Sequence, residues 1–237
     1  MPASAFDSLP ELLIRSFGEN IPLKKISADP YAAMSWPRFL PMMHFRVRRW
    51  QAGEQGYVFL MQTRAMGGLL KLITASFMPA SGIEVPFVLM DCMEMRQKRM
   101  VFVEYYDCTA KGVCAPELDR IREKYDPLLT DYTEKPAWYI QERMDCSLIK
   151  GGGTREQEAL LLQMLQDSAR ACGTLWDRAP RDPANLPGLA AFRSRMLTEG
   201  NPSSSTMEKV LGKEGANAFF LNAVMPMHTS QPNQTEK

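Results

Sequence analysis

The chain predicts an α+β fold built on an antiparallel sheet. Two observations carry that class. Short segments of strand character follow one another through the first half, joined by tight turns, and the helical patterns are gathered late in the chain. At 237 residues the chain is long enough for one large domain or two small ones.

The elements follow in order. An amphipathic helix is expected around Phe6 to Phe17. Met43 to Trp50 alternates, with Phe45 and Val47 set against Arg46 and Arg48, and reads as a strand. Strands over Tyr57 to Arg64 and Leu69 to Met78 follow, with Gly67 and Gly68 as the turn between them. Val85 to Met93 and Met100 to Tyr106 form a hairpin across the polar Arg96-Gln97-Lys98-Arg99. A helix is expected at Pro116 to Tyr125, and extended chain from Trp138 to Ile149. Gly151-Gly152-Gly153 reads as a turn; its lysine precedes the glycines, unlike a phosphate loop. It opens a long helix from Thr154 to about Arg178, with Leu160, Leu161, Met164, Leu165, Ser168, Cys172 and Leu175 on one face. Helices near Leu189 to Leu197 and Ser205 to Ala223 flank Glu199-Gly200-Asn201-Pro202. Residues 1–227 are expected to form a single domain, and the polar tail, 228–237, to be disordered.

Composition removes several function classes. A net charge of +1 argues against a nucleic-acid partner that needs a large basic surface. No apolar run approaches a membrane span and no secretory leader opens the chain, so a cytoplasmic protein without a membrane partner is expected. The five cysteines are scattered and form no C-x-x-C, which suits free thiols in a reducing compartment. With only two histidines, His44 and His228, no metal site is expected. Seventeen methionines suit an adaptable core or a pocket for a flat apolar ligand.

One acid stands out. Val85-Pro86-Phe87-Val88-Leu89-Met90-Asp91-Cys92-Met93 is apolar on both faces, as in a strand covered from both sides. Phe87, Leu89, Asp91 and Met93 share one face. Burial disfavours the charged form of a carboxyl group, so Asp91 should have a raised pKa and hold a proton near neutral pH. The alternative on residue chemistry alone is a buried Asp hydrogen-bonded to neighbouring backbone or to Arg96.

Three stretches carry a family resemblance. Met61 to Pro79, followed by Pro86-Phe87-Val88-Leu89-Met90-Asp91, resembles the central sheet of the ferredoxin-dependent bilin reductases, including the spacing from Pro79 through Pro86 to Asp91. Glu199 to Glu214, ending in Val224-Met225-Pro226, resembles the family's C-terminal loop and helix. Cys146-Ser147-Leu148-Ile149-Lys150 matches a segment where the family carries a basic residue for a bilin propionate.

The resemblance implies a three-layer α/β/α sandwich with a central antiparallel sheet and an open-chain tetrapyrrole between the sheet and the C-terminal helices. It implies reduction of biliverdin or a related bilin through bilin radicals. Reduced ferredoxin supplies the electrons, the protein supplies protons, and no cofactor is bound. The protein is expected to act as a monomer. Asp91, Thr74 and Asn201 fall at catalytic positions, and Gln62 and Lys150 at substrate-binding positions. Arg64, like Lys150, is a candidate for binding a propionate because a buried carboxylate needs a cation, the other reading for each being a solvated surface charge. Thr74 stands where members often carry His or Asn. Gln62 stands where a vinyl-reducing member has Glu, and Asn201 where several members have an acid. Glu104 is a candidate second proton donor, and Arg46, Arg48 and Arg49 are candidates for steering an acidic ferredoxin. A non-catalytic tetrapyrrole carrier or lyase on the same fold is the alternative.

Overall fold

The computed structural model describes residues 5–37, 39–130, 132, 136–201 and 204–227. The expected tail, 228–237, and Pro202-Ser203 of the C-terminal loop lie outside the described residues.

Among those residues, eight strands form one antiparallel sheet. They are β1 (Leu23–Ile26), β2 (Ala33–Trp36), β3 (Met43–Ala52), β4 (Gly56–Ala65), β5 (Leu70–Pro79), β6 (Phe87–Met95), β7 (Lys98–Tyr106) and β8 (Leu148–Thr154). The order is β1-β3-β4-β5-β6-β7-β8, with β2 also paired to β3. Neither β1 nor β2 was visible as a strand in the sequence, because each is only four residues long and has no clean alternation. β1 and β2 cover the outer side of β3, so β3 and its arginines do not form a sheet edge.

The period of two sorts side chains between two helical layers. On one face Val58, Leu60, Ala75, Phe77, Val88, Met90, Val101 and Val103 pack under α1 (Leu9–Phe17), α2 (Pro116–Tyr125) and α4 (Glu158–Arg178). On the other, Phe59, Met61, Met78, Phe87, Leu89 and Tyr106 pack under α5 (Leu186–Thr198) and α6 (Ser204–Phe219). The result is the expected α/β/α sandwich.

Phe17, Phe77 and Trp176 join α1, the sheet and α4, with ring centroids 4.6 Å apart for Phe17–Phe77 and 5.2 Å for Phe17–Trp176. Gly173 lets α4 meet α1, since a Cβ there would lie 2.2 Å from the Phe17 carbonyl oxygen. Truncating Phe17 to Ala would cost about 3–5 kcal/mol, because two helices and the sheet meet at that ring.

Several segments differ from expectation. Gly151, Gly152 and Gly153 lie inside β8 rather than in a turn, paired to β7 across a register shift between Arg99 and Val101. Glycines give no alternation to read, so only the neighbouring strand reveals them as extended. Trp138–Gln141 is a short helix, α3, and the extended chain begins at Leu148. The β6–β7 turn is tighter than expected: Met95 pairs with Lys98, and Arg96 takes the left-handed conformation at φ 55°. Arg99 is therefore a strand residue, buried against Glu158 at 2.9 Å. In α4, Leu160 is exposed, and Leu162, Ala169 and Trp176 complete the buried face.

Candidate active site

Asp91 and Thr74 are direct partners in the β5–β6 register, and antiparallel partners project to the same face. Thr74 pairs on its other side with Met61, so Met61, Thr74 and Asp91 form one row across three strands. Phe59, Ser76 and Leu89 form the next row. The covering layer is tied down above them. Ser76 Oγ donates to the Val224 carbonyl oxygen at 3.0 Å, and Arg193 of α5 donates to the carbonyl oxygens of Met225 at 2.7 Å and Leu221 at 3.0 Å.

Between sheet and cover lies a cavity of about 580 Å³. Its floor is Phe59, Met61, Thr74, Phe87 and Leu89, and Met207, Phe219 and Met225 contribute to its roof. Glu199, Asn201, Glu208, Lys213 and Asn217 add polar groups. A slot with an apolar floor and polar groups contributed by the α5–α6 segment suits a flat, largely apolar ligand with charged substituents. Gly212 breaks α6 at φ 74°, ψ 167°, next to Lys213.

Asp91 stands beside Thr74 on this face, deeply set but with part of its surface still open. Thr74 Oγ1 donates to Asp91 Oδ1 at 2.5 Å. Burial raises the Asp91 pKa to about 6, and the Thr74 hydrogen bond, which favours the carboxylate, opposes the rise. A group poised there can deliver a proton at neutral pH and recover it from water.

The expected site residues do not all gather here. Asn201 lines the cavity; its Nδ2 donates to the Met196 carbonyl oxygen at 3.1 Å, and its backbone N–H to Ser204 Oγ at 2.9 Å. It therefore shapes the loop between α5 and α6 and presents no acid. Gln62, Arg64 and Lys150 lie on the opposite sheet face. Gln62 pairs with Ile73 and accepts from Arg48 Nη2 at 3.4 Å. Arg64, two residues on, reaches Asp7 at 3.4 Å. Lys150 pairs with Val101 of the α4-side core and is buried there. Residues one step from Met61 or Thr63 point away from the cavity, because a single-residue offset reverses the face.

Glu104 is on the cavity's face of the sheet, paired with Leu89, but it belongs to a buried cluster. Arg143 Nη2 lies 2.8 Å from its Oε1, and the Tyr106 hydroxyl donates to it at 3.0 Å. Burial, followed by the Glu104 charge, pushes the Tyr106 hydroxyl pKa far up. The three arginines of β3 are split by the pleat. Arg46 is exposed, Arg48 pairs with Glu11 at 2.8 Å, and Arg49 turns to the other face near the Ser27 carbonyl oxygen at 3.4 Å.

Sequence reasoning missed Lys213, Glu208, Glu199 and Arg193. The signal available for Lys213 was a charge beside a glycine in an otherwise helical segment. Arg193 carries no local signal, since its partners are carbonyl groups about thirty residues away.

No family model and no curated protein matches the sequence. Among solved structures, the chain is similar to phytochromobilin synthase from tomato in complex with biliverdin. The TM-score is 0.75, over 93% of this chain and 82% of that one, at 11% sequence identity. At that identity the likeness establishes the shared fold. Among the described residues, no helix is long and apolar enough to cross a membrane, and no group of three or more His, Cys, Asp or Glu side chains is arranged to hold a metal.

Proposed function

We propose that this protein is a ferredoxin-dependent bilin reductase acting on biliverdin or a close relative. The observation that carries the proposal is Asp91, an acid with its pKa near 6 beside an apolar cavity, in a fold shared with a biliverdin-bound protein. The bilin lies between the Phe59–Met61–Thr74–Leu89 floor and the α5–α6 cover. Its rings meet methionine and phenylalanine side chains, and its propionates extend toward the polar groups around Lys213.

Reduced ferredoxin delivers two electrons singly, so the bilin passes through a radical. Two protons complete each two-electron reduction. Asp91 gives one to the bilin and is reprotonated from solvent; a solvent proton or a substrate propionate supplies the other. The Thr74 hydroxyl holds the Asp91 carboxyl in a fixed orientation and stabilises the carboxylate left behind.

The test is anaerobic mixing of the protein with biliverdin, then with a reduced ferredoxin system. A spectral shift on mixing, followed by a new absorbing product on reduction, is expected. A shift on mixing with no change on reduction would instead assign the fold to a carrier or lyase.

A further inference from the structure

Six of the eight large apolar side chains exposed among the described residues are gathered at one end of the sheet: Phe39, Leu40, Met42, Met66, Leu69 and Met95. Backbone hydrogen bonds stitch their segments together. Met66 N–H donates to the Met42 carbonyl oxygen at 3.1 Å, Leu69 N–H to that of Met66 at 3.3 Å, and Arg96 N–H to that of Leu69 at 3.4 Å. Single exposed apolar residues are ordinary, but a connected group marks a docking surface.

Cations outnumber acids at this end; the exposed Glu156, just past the Lys98 partner Thr154, is accompanied by the exposed Arg155. Arg96 and Lys98 follow Met95 and are exposed, and Arg64, 61% exposed, precedes Met66 by two residues. Asp7 and Glu94 are engaged: both pair with Lys71, at 3.0 Å and 3.6 Å.

From this combination we infer that the end of the sheet bearing Phe39, Leu40, Met66 and Met95 docks on the surface of an anionic lipid bilayer. Phe39 and Leu40 are 102% and 73% exposed, so among the described residues they stand clear of the protein. A folded protein partner would need a matching pocket for each. A bilayer interface accepts protruding apolar side chains without preformed pockets, while adjacent cations meet lipid phosphates. Such docking needs no spanning helix, and it departs from the expectation of no membrane partner. It is independent of the bilin cavity.

The experiment is co-sedimentation of the full chain with vesicles of phosphatidylcholine, alone or with about a third phosphatidylglycerol, at low and high salt. Binding to the anionic vesicles alone, weakened by salt, is expected. The double substitution Phe39→Ser with Leu40→Ser should reduce it about tenfold or more. Arg96→Gln with Lys98→Gln should also weaken it, leaving the bilin-bound spectrum unchanged. Absence of binding to anionic vesicles, equal binding to neutral ones, or unchanged binding by the Phe39/Leu40 variant would overturn the inference. So would concentration-dependent dimerisation lost in that variant, which would assign the face to a second copy. Retention on immobilised ferredoxin through Arg96 and Lys98, without vesicle binding, would assign it to an acidic protein.

Discussion

Thr74 and Asp91 face each other across β5 and β6, and the threonine hydroxyl donates to the Asp91 carboxyl at 2.5 Å. The contact sets two opposing influences on one acid. Burial raises its pKa and the hydroxyl draws it back, leaving it at about 6. Thr74→Val removes the second influence at nearly constant volume. The pH at which turnover begins to fall should therefore move upward in that variant, as a pH–rate profile would read.

Asp91→Asn should keep bilin binding, because the amide retains shape and can still accept from Thr74. Turnover should fall by about a hundredfold or more, the usual contribution of a general acid. Single-turnover reduction of pre-bound bilin checks this separately from affinity. Near-normal turnover would remove Asp91 from the mechanism.

The same acid should leave a signature in stability. Its folded pKa is about 6, against 3.8 for the free group, so between those values the native state holds more proton than the unfolded state. Stability contributed by protonated Asp91 is fully present below about pH 4 and is lost as pH rises through 6. Two pKa units correspond to at most about 3 kcal/mol. Asp91→Asn should therefore gain stability over the parent from pH 4 to pH 7, as denaturant titrations at several pH values would show.

The reaction should stop after one two-electron step and spare the D-ring vinyl group. Asp91 is the acid set on the sheet beside the cavity. Thr74 and Asn201 do not donate carboxyl protons; of the two other acids lining the cavity, Glu199 pairs with Arg195 at 2.8 Å and Glu208 is exposed on α6, on the side away from the sheet-borne Asp91. Mass spectrometry decides: a gain of four hydrogens, or an ethyl group in place of the vinyl, would show another proton route.

Residues on the far side of the sheet should not affect ligand affinity. Gln62→Glu and Lys150→Met should leave the bilin dissociation constant within about twofold, since both side chains project toward the α1–α4 layer. Lys213→Ala should weaken binding about two- to fivefold, the scale of an exposed charge pair. Fluorescence quenching or absorbance titration distinguishes the two sets.

Glu104→Gln should destabilise the fold by about 3 kcal/mol, because Arg143 would lose the carboxylate facing it in a buried setting. The size of that loss, measured by denaturant unfolding, separates a structural Glu104 from a second proton donor. If turnover of the folded variant fell as far as in Asp91→Asn, Glu104 would belong to the chemistry.

The strand periods, the Pro116–Tyr125 helix, the late helical half and the exceptional place of Asp91 were determined by the sequence alone. Alternation and helical spacing are local patterns, and an acid within an apolar strand is visible from its neighbours. Thr74 entered through the family resemblance, and the β5–β6 register is what makes it the partner of Asp91. The membership of the rest of the site was decided by tertiary structure. Which face Gln62 and Lys150 occupy depends on register with β3, β5 and β7, and one residue of offset sends a side chain to the opposite layer. Lys213 and Arg193 reach the cavity or its cover only because α5 and α6 fold back over β4–β6. Glu104 reads like any alternating strand residue until Arg143, brought from the other side of a long connection, fixes its charge in the core. Likewise, Phe39, Met66 and Met95 are separate turn residues in the sequence, and only the sheet brings their segments to one end.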